Sequence, residues 1–158
     1  MFLFIWRWLL SVSVLFLLPS SQVFSQERFE NLILKAGWIA HVMQNQPTSA
    51  GYIVIVNSGD TPRTLLKAQA DFAATTHLHK SFMDNNVMKM RHLTEGIEIP
   101  ANSTLELSPG GFHIMFMKLK NSLKLEETYK VIFTFSELGS VEIPMIVKSG
   151  KKMMKHDH

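Results

Sequence analysis

Ser108-Pro109-Gly110-Gly111 leads directly into Phe112-His113-Ile114-Met115-Phe116-Met117. A proline–glycine turn followed by a run of alternating character is the signature of a β-strand. Alternation puts Phe112, Ile114 and Phe116 on one face and His113, Met115 and Met117 on the other. The first face reads as core. The second reads as a row of soft metal donors.

The same pattern recurs upstream. His77-Leu78-His79 and Met88-Lys89-Met90 repeat the donor-x-donor spacing, with Met83 and the turn Asp84-Asn85-Asn86 between them. Two donors so spaced lie on one face of one strand, about 7 Å apart. Further strands are expected over Leu32–Met43, Gly51–Asn57, Leu65–Ala70, Ala74–Lys80, Val87–Arg91, Thr104–Leu107, Tyr129–Phe135 and Val141–Val147. Gln44–Ala50 reads as a polar loop, and Asn57-Ser58-Gly59-Asp60-Thr61-Pro62 as a turn. Pro144 cannot donate to a ladder, which points to an edge strand or a bulge. Roughly seven to nine short strands without amphipathic helix indicate an all-β fold, an antiparallel β-sandwich or barrel.

Bulk composition agrees. The chain has 158 residues, 46% of them hydrophobic and 18% charged, which suits one globular domain with processing signals. A net charge of +3 is too small to imply nucleic acid. Cysteine is absent. That removes disulfides, thiolate metal sites, a cysteine nucleophile and a lipidated cysteine. Methionine is abundant at ten residues, and its clustering with histidine argues against simple core filling.

Residues 1–25 read as a secretory signal, cleaved near Ser25. Arg7 precedes the apolar run Trp8–Leu18, and Val23-Phe24-Ser25 supplies small residues before Gln26. The run is shorter than the roughly 20 residues of a spanning helix, so membrane contact is expected only if this segment stays uncleaved. Residues 26–148 then form the domain. Residues 149–158 lack strand pattern and read as a mobile Met/His-rich tail. Export explains why a metal site avoids thiols, since thioethers still bind soft metal in oxidising compartments.

Cu(I) favours thioether and imidazole donors. His79, Met90, His113 and Met115 are the best candidates for it. A lone His-x-Met is weak evidence, but four such donors in an exported, cysteine-free β-domain are not. Met88, Met83 and Met117 rank second, as site lining or core, and His77 as an alternative ligand or surface residue. His92, beside Arg91, is expected to be solvated. His41 and Met43 read as a surface pair. Met153, Met154, His156 and His158 of the tail suit either weak metal capture, Cu(II) included, or a solvated basic tail.

The stretch from His79 to Met117 resembles the periplasmic copper chaperones of the PCu(A)C (DUF461) family. Their motif is His or Met, ten residues, Met, twenty-one residues, His-x-Met. His79 and Met90 have that first spacing, and His113-x-Met115 closes it. Val87–Arg91, Gly96–Ala101 and Leu105–Met117 are similar to the family text. Trp38, Ala50-Gly51-Tyr52 and Asn57–Asp60 are similar more weakly. One departure stands out. Met90 and His113 are separated by twenty-two residues, and the extra one falls in Arg91–Gly96, where a loop absorbs it.

The resemblance implies a cupredoxin-like, Greek-key sandwich binding Cu(I). It implies delivery by ligand exchange to an acceptor cuproprotein, such as the copper A centre in subunit II of cytochrome c oxidase, or to an assembly factor. Other classes fare worse. Blue-copper electron transfer needs a cysteine thiolate. No Ser-His-Asp arrangement, His-Glu-x-x-His motif or supported carboxylate pair suggests an enzyme. Periplasmic copper storage or tolerance, and a structural sandwich with scattered Met and His, remain as alternatives.

Overall fold

The computed structural model describes residues 26–136 and 138–150. The signal segment 1–25 and the tail donors Met153, Met154, His156 and His158 lie outside them. Eleven strands run in chain order: β1 Gln26–Phe29, β2 Leu32–Ala40, β3 Thr48–Asn57, β4 Arg63–Gln69, β5 Ala73–Asp84, β6 Val87–His92, β7 Ile97–Ile99, β8 Ser103–Leu107, β9 Phe112–Leu119, β10 Thr128–Phe135 and β11 Gly139–Lys148. No described residue lies in an α-helix, and none forms a helix long and apolar enough to cross a membrane.

The strands form one ladder in the order β6-β5-β9-β8-β3-β2-β11-β10-β4-β7, with β1 on β2 and a second pairing of β9 on β3. The all-β expectation holds. Pairing is mostly antiparallel, but β11 runs parallel to β2, and Leu107 of β8 pairs in parallel with Phe112 of β9. Inward residues follow strict alternation along β3, where Ser49, Gly51, Ile53, Ile55 and Asn57 are buried. Ile53 and Ile55 join Leu32, Leu34, Ile39, Phe116, Phe133, Phe135, Met145 and Val147 in one core. Phe72, in the β4–β5 connection, packs on both Phe116 of β9 and Tyr129 of β10 and so ties together two strands that are not neighbours in the ladder.

Two expectations need correction. Thr48–Ala50 belong to β3 and not to a loop, because Ser49 is buried and its hydroxyl donates to the Ala40 carbonyl at 2.6 Å. Pro144 lies on an interior strand. It is paired with Lys130 of β10, while β11 meets β2 only from Ile146 onward, so no partner on that side needs its missing N–H. The adjoining part of β2 is a bulge at Ala36–Gly37, where Ala36 has φ 55° and Gly37 approaches Met145 closely.

The turn after β3 is fixed by a buried side chain. Asn57 is fully buried, and its amide nitrogen donates to the carbonyls of Thr61, Ile99 and Pro100 at 2.9–3.1 Å. Its side-chain oxygen accepts from the Gly59 N–H. This clamps β3 to the β7–β8 connection.

Candidate metal centre

The centre is built on β5, β6 and β9. Ile114 and Phe116 are fully buried, which fixes β9 in register and turns His113 and Met115 to the other face. Gly51 makes that seating possible. It pairs with Ile114, and a Cβ there would fall 2.7 Å from the Phe116 ring. The β5–β6 hairpin is closed by Asn85 and Asn86, both at positive φ (50° and 60°), a conformation that asparagine tolerates and tight hairpins require. Lys89 pairs with Asp84 beside this turn.

Register then places donors opposite donors. His79 faces His113 on β9 and His92 on β6. His77 faces Met115, Ser81 faces Met90, Met83 faces Met88, and Thr75 faces Met117. Directly opposed residues share a face, so four imidazoles and five thioethers line one side of a three-stranded ribbon.

His79 is the hub. Its Nδ1 lies 2.9 Å from the Met90 sulfur. Its ring meets His113 edge to face at 5.7 Å and His92 at 5.4 Å between centroids. His77 stacks on His92 at 4.1 Å, nearly parallel. His113 is buried, with 5% of its surface exposed. Its Nδ1 lies 3.1 Å from the Gly111 carbonyl oxygen. A carbonyl only accepts, so Nδ1 carries the proton and Nε2 keeps its lone pair for a ligand.

The electrostatics favour neutral donors. Burial, followed by the neighbouring imidazoles of His113, His92 and His77, holds the His79 pKa below the ordinary histidine value. Burial and His92 do the same for His77. Among the described residues, no three His, Cys, Asp or Glu side chains converge closely enough to hold a metal ion. Any ion held here needs the thioethers, and thioethers select soft, low-charge metals.

Of the residues expected from sequence, the fold gathers His79, Met90 and His113 most closely. Met115 shares their face, half-buried, one diagonal step from His79. His77 sits between Met115 and His92. Met88 lies with Met83 near the hairpin turn, both 58% exposed, and Met117 lies beyond Met115 toward the other end. The donors therefore meet in mid-ribbon beside the Ser108–Gly111 turn, away from the Asn85–Asn86 turn. His41 and Met43 are exposed and distant in register, as expected.

His92 was missed. It is exposed, as a solvated residue would be, yet it packs against both His77 and His79. The signal was present: it follows Met88 and Met90 at a spacing of two, so strand alternation puts it on their face.

The family model "Putative lipoprotein LpqE-like" matches residues 32–147. The chain belongs to the LpqE-like family. A curated relative with the same lipoprotein description, Lxx21020 of Leifsonia xyli subsp. xyli (strain CTCB07), is 28% identical over 131 residues, covering 83% of this chain and 78% of that protein. The LpqE-like fold resembles solved PCuAC domains. The copper-bound PCuAC domain from PmoF2 superposes with a TM-score of 0.68 at 17% identity, covering 79% of this chain and 98% of that one. The Cu(I) solution structure of DR1885 from Deinococcus radiodurans gives 0.57 at 28% identity, covering 73% and 76%. Lipoprotein is a family description here. This LpqE-like sequence has no cysteine, so none of its 158 residues can carry a thiol-linked lipid.

Proposed function

We propose that this LpqE-like protein is an exported copper carrier. It binds Cu(I) as cargo through His79, Met90, His113 and Met115, and passes it to an acceptor cuproprotein. The observation that carries the reading is the contact of His79 Nδ1 with the Met90 sulfur beside the edge-on ring of His113. Two nitrogen donors and a thioether, with a second thioether one diagonal step away, suit a closed-shell monovalent ion. They suit zinc or magnesium poorly, because no carboxylate or cysteine joins them.

The likeness to copper-bound and Cu(I)-loaded PCuAC domains supports this choice of cargo. The lipoprotein descriptions of its relatives support export, and the segment 1–25 supplies the signal that would direct it to the periplasm. Delivery follows from donor strength. A site of thioethers and imidazoles, partly open to solvent, holds Cu(I) more weakly than a thiolate site and yields it by ligand exchange. The copper A centre of cytochrome c oxidase fits such an acceptor. Met88, Met117 and His77 act as secondary donors. Met153, Met154, His156 and His158 of the 149–158 tail add weak capture, Cu(II) included. The role is that of a carrier, not an enzyme.

The test is Cu(I) titration of residues 26–158 against a chromophoric competing chelator, with the His113→Ala/Met115→Ala double variant beside it. One tightly bound ion, lost in the variant, is expected. Equal weak binding by both proteins sinks the assignment.

A further inference from the structure

The reverse face of the same ribbon carries an unexplained pair of charges. Lys80 of β5 and Arg91 of β6 are direct cross-strand partners. Like charges so opposed destabilise a sheet, and among the described residues neither has a carboxylate partner. Each instead lies over an aromatic ring. The Lys80 ammonium sits 4.8 Å from the Phe112 centroid, and the Arg91 guanidinium 5.4 Å from that of Phe82.

These four side chains, with Leu93, Gly96, Ile97 and Glu98, line an open groove of about 580 Å³. Glu98 is the one carboxylate there, so the groove is net positive. β6 contributes Arg91 to it. This strand ends the ladder, pairs only with β5, and has all six residues exposed. Its outward N–H and C=O groups are open to another strand.

We propose that this groove and the β6 edge form a docking surface for an extended acidic segment of a partner protein. Main-chain pairing along β6 would supply affinity, and carboxylates reaching Lys80 and Arg91 would set register. The rings of Phe82 and Phe112 lie on that same face and give the aliphatic stems of the carboxylate side chains an apolar floor.

Protection of an edge from aggregation also places charges on an edge strand. That role does not explain Lys80, which lies on β5 between β6 and β9 and not at an edge. Alternation puts Lys80 and Arg91 opposite to His79, Met90 and His92, so the bound carboxylates and the metal donors lie on opposite faces of the sheet. The surface stands whether or not that face carries copper.

The probe is an eight-residue peptide alternating glutamate and leucine, titrated into the isotopically labelled protein (residues 26–158) and followed by amide chemical shifts. Expected are shifts confined to β6, Lys80, Phe82 and Phe112. Binding should weaken about tenfold in Lys80→Gln/Arg91→Gln and fall with added salt, as rim charges do. Glu98→Gln should tighten it, and His113→Ala should leave it unchanged. The proposal fails if the peptide shifts nothing, or if it binds the charge variant as well as the parent. It also fails if free glutarate reproduces the shifts at equal concentration, which would make this a small-anion site. A fourth failing result is a peptide of the same length alternating lysine and leucine binding equally well.

Discussion

His79 and His113 are direct cross-strand partners whose rings meet edge to face at 5.7 Å, with the Met90 sulfur against the first of them. Three donors thus converge from three strands, two of them the arms of one hairpin and the third reached only after β7 and β8. Removing any one leaves the assigned four-donor set, Met115 included, one ligand short. Met90→Ala and His113→Ala should each lower Cu(I) affinity at least about a hundredfold, by analogy with the size of effects at supporting metal-site residues. Met43→Ala, on an exposed loop position, should change nothing. Competitive titration with a chromophoric chelator reads all three.

The fourth donor can be identified by a pair of variants. Met115 is assigned the role, but His92 lies directly opposite His79. Met115→Ala is expected to weaken Cu(I) binding more than His92→Ala. The opposite order would hand the fourth position to His92.

Acid should affect the centre late. Only neutral imidazole binds metal, and His79 is held below the ordinary value of 6.5 by burial and by its imidazole neighbours. Copper affinity should therefore persist as pH falls through that value and decline only below it. Stability of the copper-free protein has a definite sign too. The unfolded chain takes up the proton first, so His79 makes folding less favourable as pH falls below about 6.5 and imposes no penalty above it. Denaturant midpoints of the parent and of His79→Ala, measured at pH 5 and pH 8, should differ in this direction. A parent that gains stability at pH 5 relative to the variant would contradict it.

Asn57 offers a stability test remote from the donors. Its amide serves three carbonyls and its oxygen one N–H, all within the clamp on the β7–β8 connection. Asn57→Asp would set a carboxylate against those carbonyls, and a loss of about 3 kcal/mol or more is expected. Thermal or denaturant unfolding checks it, and a loss below about 1 kcal/mol would count against the clamp.

Gly51 links core to centre. An alanine there forces the Phe116 ring away from β3. A cost of about 1–3 kcal/mol is expected from overpacking, together with weaker copper binding because β9 carries His113 and Met115. An unchanged copper affinity in a destabilised Gly51→Ala protein would show that the centre tolerates movement of β9.

Much of this was legible in the chain. Phe112–Leu119 is a strand as read, because turn chemistry and alternation agree there with burial. The faces of β5 and β6 follow from the same alternation. Thr48–Ala50 looked like loop because polar residues and Pro47 obscure an inward serine that only the neighbouring Ala40 carbonyl satisfies. The interior place of Pro144 was hidden because local sequence does not show where a partner strand bulges. His92 was discounted for its charged neighbour, although period-two reading puts Arg91 and His92 on opposite faces.

The single pairing of β6 has a consequence for how cargo leaves. β9 is held by β5, β3 and β8, whereas β6 is held by β5 alone. Met90 therefore sits on the element that frays first and His113 on one that opens late. Amide exchange should fall off steeply from β9 to β6. A ligand set anchored across such a gradient can lose one arm while the rest of the sheet stays closed, so release needs no more than a brief unzipping at the rim.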